Sequence, residues 1–134
     1  MFTNLLLEEE KSVFLKLLVY LSKIDNELST NEVNFIKKAG HDIGIEVDNN
    51  IFDLKVGKLE DLLFQFKSKR SKKILLIELI NIALADNNYS VEERGGILEI
   101  SRILEISKNE VINIENWVVE GNKWISKGSK IILD

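Results

Sequence analysis

One acidic motif occurs twice in this chain, and the second copy follows the first at a fixed distance. Residues 25–32 and 86–93 both read aspartate, two polar residues, a bulky apolar residue, serine, two variable residues and glutamate. The 61-residue offset continues without a gap through three apolar pairs: Ile36/Ile97, Ile43/Leu104 and Ile45/Ile106. Such a repeat predicts an internal duplication in which two similar halves pack together.

The spacing of apolar residues predicts helices throughout, and the chain contains no proline. The first stripe has the spacing of one buried helical face, and it comprises Phe14, Leu17, Leu18, Leu21 and Ile24. It predicts a first helix over about residues 4–24. The apolar run 74–85 predicts a central helix that is covered on most sides. The fold class is therefore all-α, a bundle of about six to seven helices with pseudo-twofold symmetry.

Three serine–glutamate pairs have the spacing of a capping box, in which each partner satisfies a free amide of the first helical turn. They are Ser29/Glu32, Ser90/Glu93 and Ser107/Glu110. The first opens a helix over about 30–43 that ends before Gly44, and Asp48 caps a short helix through Leu54. At the second, Arg94 stands where Val33 completes a hydrophobic staple. Gly121 is predicted to end the helix that the third one opens.

Glycines and cations mark further features. Gly95-Gly96 predicts a close helix crossing, with a phosphate-cradling loop as the alternative. The run 67–73 holds five cations in seven residues, and we expect a solvated connection between helices.

Trp117 and Trp124 are predicted to pack at the core and its rim. The apolar tail either packs back on the bundle or serves a partner.

Composition bounds the class of protein. The 134 residues suit one domain, 1–134, with repeat halves at about 4–54 and 59–121 and a tail at 122–134. No cysteine is present, which excludes disulfides and thiolate sites. A net charge of −4 disfavours nucleic-acid binding. No apolar run reaches the roughly 20 residues of a membrane span, and without a basic leader we expect the cytoplasm.

A search for catalytic residues is mostly negative. His41 is the single histidine, and no nucleophile motif points to it. No His-Glu-x-x-His, Walker or dinucleotide glycine pattern occurs. We predict a protein that is not an enzyme, with a hydrolase using His41 as a remote alternative.

The repeated acidic loops are the strongest candidate site. Asp25 and Asp86 fall at predicted helix C-termini, where the helix dipole disfavours negative charge. Side-chain oxygens follow each aspartate, so a short turn could gather the hard ligands that calcium or magnesium prefers. The spacing is too short for an EF-hand. The alternative is that the loops only form turns and caps.

These motifs, Ile24-Asp25-Asn26-Glu27-Leu28-Ser29 with Glu32 and Ala85-Asp86-Asn87-Asn88-Tyr89-Ser90 with Glu93, resemble the TerB-like family over roughly residues 13–112. That family includes tellurite-resistance TerB proteins and the N-terminal domain of DjlA-type co-chaperones. The resemblance implies an all-helical bundle with an acidic patch proposed to bind metal, often in bacterial stress or membrane-associated complexes. Carried over by motif, the metal residues are Asp25, Glu27, Glu32, Asp86, Asn88 and Glu93. The usual glycine after each aspartate is replaced by Asn26 or Asn87.

Two function hypotheses follow. In the first, a cytoplasmic, non-enzymatic binding domain uses the acidic loops for a divalent cation or a basic partner, and no other cofactor is expected. In the second, the apolar C-terminal segment is a protein interaction or assembly surface, and the loops are purely structural. We expect a protein partner of unidentified kind, and a homodimer stays open.

Overall fold

Six α-helices make up most of the computed structural model, which describes residues 2–24, 28–53, 57–85 and 89–134. Their bounds are α1 Glu8–Ser22, α2 Thr30–Asp42, α3 Leu59–Leu63, α4 Lys69–Ala85, α5 Val91–Ile103 and α6 Lys108–Leu133. Single turns of 3-10 helix lie at Thr3–Leu5 and Asn49–Phe52. Within those ranges there is no strand, and the predicted all-α bundle is confirmed.

The predicted central helix is α4. Its residues Leu75, Leu76, Leu79 and Ile80 have no exposed surface. The helix is contacted by α1, α5, α6 and the Thr3–Leu5 turn. Covering of this kind explains why apolar residues occupy nearly every position from 74 to 85.

The basic run belongs to α4 rather than to a connection, so that prediction is wrong in part. The helix begins at Lys69 because Ser68 Oγ accepts the Ser71 amide at 3.0 Å, as an N-cap does. Lys67, Lys69 and Arg70 are exposed, as predicted, while Lys73 Nζ lies 3.4 Å from Glu110 Oε1 on α6.

Two pairs of helices keep the 61-residue offset. α1 and α4 begin at Glu8 and Lys69, and α2 and α5 are both 13 residues long with matching bounds. Shortly after the ends of α2 and α5, one residue has a left-handed backbone conformation: Gly44 at φ 79° and Glu105 at φ 60°. Matching bounds and turns are what a duplication requires, and the duplication itself stays a prediction.

A buried hydrogen bond joins the two halves at equivalent positions. Ser71 Oγ on α4 donates to Glu10 Oε1 on α1 at 3.0 Å, and the residues are 61 apart. The same carboxylate oxygen accepts the Leu7 amide at 2.8 Å, which caps α1. This cap corrects the predicted first helix: α1 begins at Glu8, and residues 3–5 form a separate turn.

Of the two adjacent glycines, Gly96 lies at a close helix contact and Gly95 does not. A Cβ on Gly96 would lie 2.7 Å from Ile24 Cδ1 and 3.1 Å from Leu21 Cδ1, so α5 crosses α1 closely there. A Cβ on Gly95 would meet nothing within 4 Å. Both residues lie inside α5, so the phosphate-cradling loop is wrong. Gly40, which the sequence did not single out, is a tighter contact: its Cβ would clash with Val47 Cγ2 and lie 2.8 Å from the Ile45 carbonyl.

The predicted end of the last helix at Gly121 is also wrong. α6 runs 26 residues, through Gly121 and Gly128, to Leu133. Neither glycine has a positive φ. A glycine inside a helix costs about 1 kcal/mol without ending it, and the amphipathic pattern continues on both sides.

Alanine at two helical glycines should have opposite effects on stability. Gly95→Ala should raise the free energy of unfolding by about 0.4–1 kcal/mol, because the site is open and alanine favours the helix. Gly40→Ala should lower it by roughly 1–2 kcal/mol, because the Ile45 backbone cannot move aside without shifting the turn after α2. Urea unfolding followed by circular dichroism measures both. Equal stability of the two variants would contradict this packing.

Candidate functional site

Two of the six predicted metal residues lie in the described part of the chain, and they share one cavity. Asp25, Glu27, Asp86 and Asn88 fall outside the described residues. Glu32, from the start of α2, and Glu93, from the start of α5, both line a cavity of about 560 Å³. The repeat equivalents thus face a common space, a relation that the sequence left open.

The cavity has an apolar floor and a polar rim. Four apolar residues of α1, α2 and α4 form the floor, and all are buried: Leu18, Leu21, Ile36 and Ala83. Ser29 and Asn31 stand with the two glutamates on the polar side, and the exposed ring of Phe35 completes the wall. Such a site suits a ligand that carries positive charge, and it has room for an attached apolar group.

Helix capping positions both glutamates. The Glu32 amide donates to Ser29 Oγ at 3.1 Å, and Glu32 Oε1 accepts the Ser29 amide at 3.1 Å, so the predicted capping box is confirmed. At α5, the Glu93 amide donates to Ser90 Oγ at 3.0 Å. Glu93 Oε1 accepts the Ser90 hydroxyl at 3.4 Å rather than the Ser90 amide, so the predicted second capping box is only half formed. Because each carboxylate is anchored at a helix start, its position at the rim is set by the local fold.

The acidic groups in the described ranges do not by themselves form a complete metal site. No group of three or more His, Asp or Glu side chains there is arranged to hold an ion. Glu32 and Glu93 supply hard oxygen ligands, the type that calcium and magnesium take, but a full shell needs about six or more. The remaining ligands would have to come from water, from backbone carbonyls or from the loop residues of the motifs.

Beside the second motif, a polar cluster replaces the hydrophobic staple. Arg94 binds Glu115 of α6 through two hydrogen bonds, Nε to Oε2 at 3.0 Å and Nη2 to Oε1 at 3.1 Å. Tyr89 Oη donates to Glu115 Oε2 at 2.7 Å. Tyr89 and Arg94 occupy the two staple positions, so their joint contact with Glu115 ties the start of α5 to α6.

Burial and charge set the pKa values in this cluster. Burial raises the pKa of Tyr89, and the hydrogen bond to the Glu115 carboxylate raises it further. Burial also acts to raise the pKa of Glu115, but the hydrogen bonds from Arg94 and Tyr89 outweigh it and hold that pKa below the usual range. Glu115 is therefore ionised at neutral pH. The sequence signal of an unusual contact here was Arg94, a cation where the motif calls for an apolar residue, but nothing local in the sequence named Glu115 as its partner.

His41 lies away from the acidic cavity. It is exposed near the end of α2 and lines a separate cavity with Lys37 and residues 44–47. That lining contains no serine or threonine that could act as a nucleophile beside it. The hydrolase alternative gains no support from this position.

The second half of α6 is a separate exposed surface. Trp117 is 47% exposed and contacts the Phe2 ring, with centroids 6.2 Å apart. Trp124 is 77% exposed, so its predicted packing at the rim of the core is wrong. The tail does not pack back on the bundle: Ile131, Ile132 and Leu133 are each at least 77% exposed. Across the described ranges, none of the helices has the length and apolarity needed to cross a membrane.

Replacing Glu115 by glutamine should lower stability in a pH-dependent way. The folded-state pKa of Glu115 is below its unfolded value, so its ionised form stabilises the fold above about pH 4.3. That contribution is lost as pH falls through the folded-state pKa. Thermal melts at pH 7 should place Glu115→Gln below wild type, and the difference should shrink as the pH is lowered below about 4.3. A difference that stays constant with pH would contradict an ionic role.

Comparison with known proteins adds no relative. A scan against protein-family models finds no match, and neither the curated proteins nor the solved structures give a significant one. The resemblance to the TerB-like family therefore stays a prediction based on the two acidic motifs.

Proposed function

We propose that this chain is a non-enzymatic, TerB-like binding domain of the cytoplasm whose two acidic motifs serve one site, for a divalent cation or a basic partner. The observation that carries the proposal is the shared cavity of Glu32 and Glu93. Two anionic side chains at one rim favour a positively charged ligand. A role in a stress response, which the resemblance suggests, belongs to the same proposal.

The two carboxylates are suited to a ligand because their places are fixed before binding. Each belongs to the first turn of its helix, and a cap holds that turn. A site whose donors are already ordered loses less conformational entropy on binding. A cation bound in the shared cavity would be attracted by both carboxylates.

Divalent cations should raise the melting temperature of the wild-type chain. Binding to the native state stabilises it by about 1.4 kcal/mol at an ion concentration ten times the dissociation constant. A thermal-shift series with millimolar calcium, magnesium and manganese measures the effect. The double variant Glu32→Gln/Glu93→Gln should lose it, since glutamine keeps the capping oxygen and removes the charge.

Glu110→Gln is the matched control. Glu110 caps α6 as Glu32 caps α2, with its amide 3.2 Å from Ser107 Oγ, and it does not line the cavity. Its variant should respond to ions like wild type. The proposed site would be contradicted if the melting temperature of the wild-type chain responded neither to the divalent ions nor to a lysine-rich peptide.

The exposed half of α6 favours a second function, an interaction or assembly surface. Exposed apolar patches above a few hundred Å² are uncommon on monomeric proteins and mark contact sites. The two functions separate experimentally: Trp124→Glu should weaken partner contact and leave the ion response unchanged, because Trp124 does not line the cavity.

A further inference from the structure

The second half of α6 carries an apolar stripe along one face. We call this the α6 stripe, and it comprises Trp117, Gly121, Trp124, Ile125, Gly128, Ile131 and Ile132. Its five large side chains are between 47% and 84% exposed. At about 1.5 Å per residue the stripe is roughly 23 Å long.

The α6 stripe continues a face that is already packed. Val111 and Val118 are buried in the bundle, and Ile114 packs against it in part. Val111, Val118, Ile125 and Ile132 follow one another at intervals of seven, so they lie on one side of the helix. The first half of this face meets the core, and the second half extends beyond it in the same register.

The exposed half would be a weak helix without a partner. Residues 119–133 continue a helix whose first half is packed, but isolated helices of about 12–15 residues are marginal in water. Gly121 and Gly128 each lower helix stability by about 1 kcal/mol relative to alanine. Contact along the apolar face is the stabilisation that this segment lacks.

We propose that the α6 stripe pairs with the same stripe of a second copy of this chain. This inference deepens the second function above, and it rests on the stripe being a contact surface. In the described ranges, the other exposed large apolar residues, such as Phe64 and Val91 elsewhere and Val119 and Leu133 on other sides of α6, form no comparable run. The surface that matches the stripe in length and apolar character is the stripe itself.

The side chains along the α6 stripe are complementary to each other. Trp124 lies between Gly121 and Gly128, so a large ring alternates with two positions that have no side chain. A Cβ at either glycine would meet nothing within 4 Å in the single chain, so no contact inside the bundle requires glycine there. A tryptophan of one copy can fill the space over a glycine of the other, and the helices can approach closely.

The lysines near the α6 stripe are compatible with a protein partner. Lys123 and Lys130 point about 140° or more away from Gly121 and Gly128 around a helix of 3.6 residues per turn. Lys127 borders the stripe, three residues after Trp124 and four before Ile131. In a helix pair Lys123 and Lys130 remain in water on the outer side, and the long side chain of Lys127 reaches water at the edge of the contact.

The exposed area is large enough for a stable pair. The five large side chains expose on the order of 700 Å² of mainly apolar surface. A pair that covered all of it would approach the roughly 800 Å² per partner of a standard interface. In an antiparallel, twofold arrangement, the same residues of both copies form the interface, and the two bundles lie at opposite ends of the helix pair.

Multi-angle light scattering of the full chain tests the proposal. Wild type at about 100 μM should elute with twice the 15.4 kDa mass of one chain. Trp124→Glu should elute as a monomer. The matched control is Val119→Glu, because Val119 is also exposed, at 38%, and lies on the opposite side of α6. It should stay dimeric.

Hydrogen exchange gives a second measurement if a variant is poorly folded. Amides of residues 119–133 should exchange more slowly at high protein concentration than under dilution, because pairing orders this segment. A wild type that is monomeric at 100 μM, or a dimer that Trp124→Glu leaves intact, would overturn the proposal. If the chain is monomeric but binds phosphatidylglycerol vesicles through Trp124, the α6 stripe is a contact surface for a membrane and the proposed dimer is wrong. If the chain is monomeric and binds no vesicles, the interaction surface proposed as the second function is wrong too. The ion response of the cavity is tested separately from both.

Discussion

The burial of α4 is the constraint on which the rest of the fold depends. Its apolar residues must be covered on most sides, and α1, α5 and α6 are the helices that cover them. Even the buried Glu78 on this helix is used, because its Oε1 accepts the Phe2 amide at 2.8 Å and holds the N-terminal segment in place. α4 has 17 residues and α6 has 26, so α6 is longer than the helix it covers. The exposed α6 stripe follows from that difference in length.

The acidic cavity has its origin in the same arrangement. Each motif links a core helix to a capped helix, α1 to α2 and α4 to α5. Since α1 and α4 pack together at the centre, the described residues that flank the two motifs line one space. Two capping glutamates that would be ordinary on separate surfaces thereby become a shared anionic rim. The Tyr89–Arg94–Glu115 cluster fixes the start of α5 beside it.

Most local signals at helix starts and turns predicted the structure, and contacts between distant residues were not visible in the sequence. The Ser29 and Ser107 capping boxes and the left-handed Gly44 were predicted because each depends on residues within one turn. The prediction that the last helix ends at Gly121 is wrong because a glycine follows an apolar stripe both where a helix ends and where it continues. The pairing of Arg94 with Glu115 and the common cavity depend on tertiary packing, which a single sequence does not encode in any local pattern. The structure places Glu32 and Glu93 in that cavity, and the other four predicted metal residues lie outside the described ranges.

The central claim is that the two acidic motifs serve one site. Paramagnetic broadening by Mn²⁺ in ¹⁵N-labelled protein tests it most directly, because a bound ion broadens the amide signals nearest to it. At substoichiometric Mn²⁺, the amides of residues 29–36 and those around Glu93 should broaden together and with one dependence on ion concentration. Broadening confined to one motif, or spread evenly to exposed carboxylates elsewhere such as Glu60 and Glu105, would contradict a single shared site.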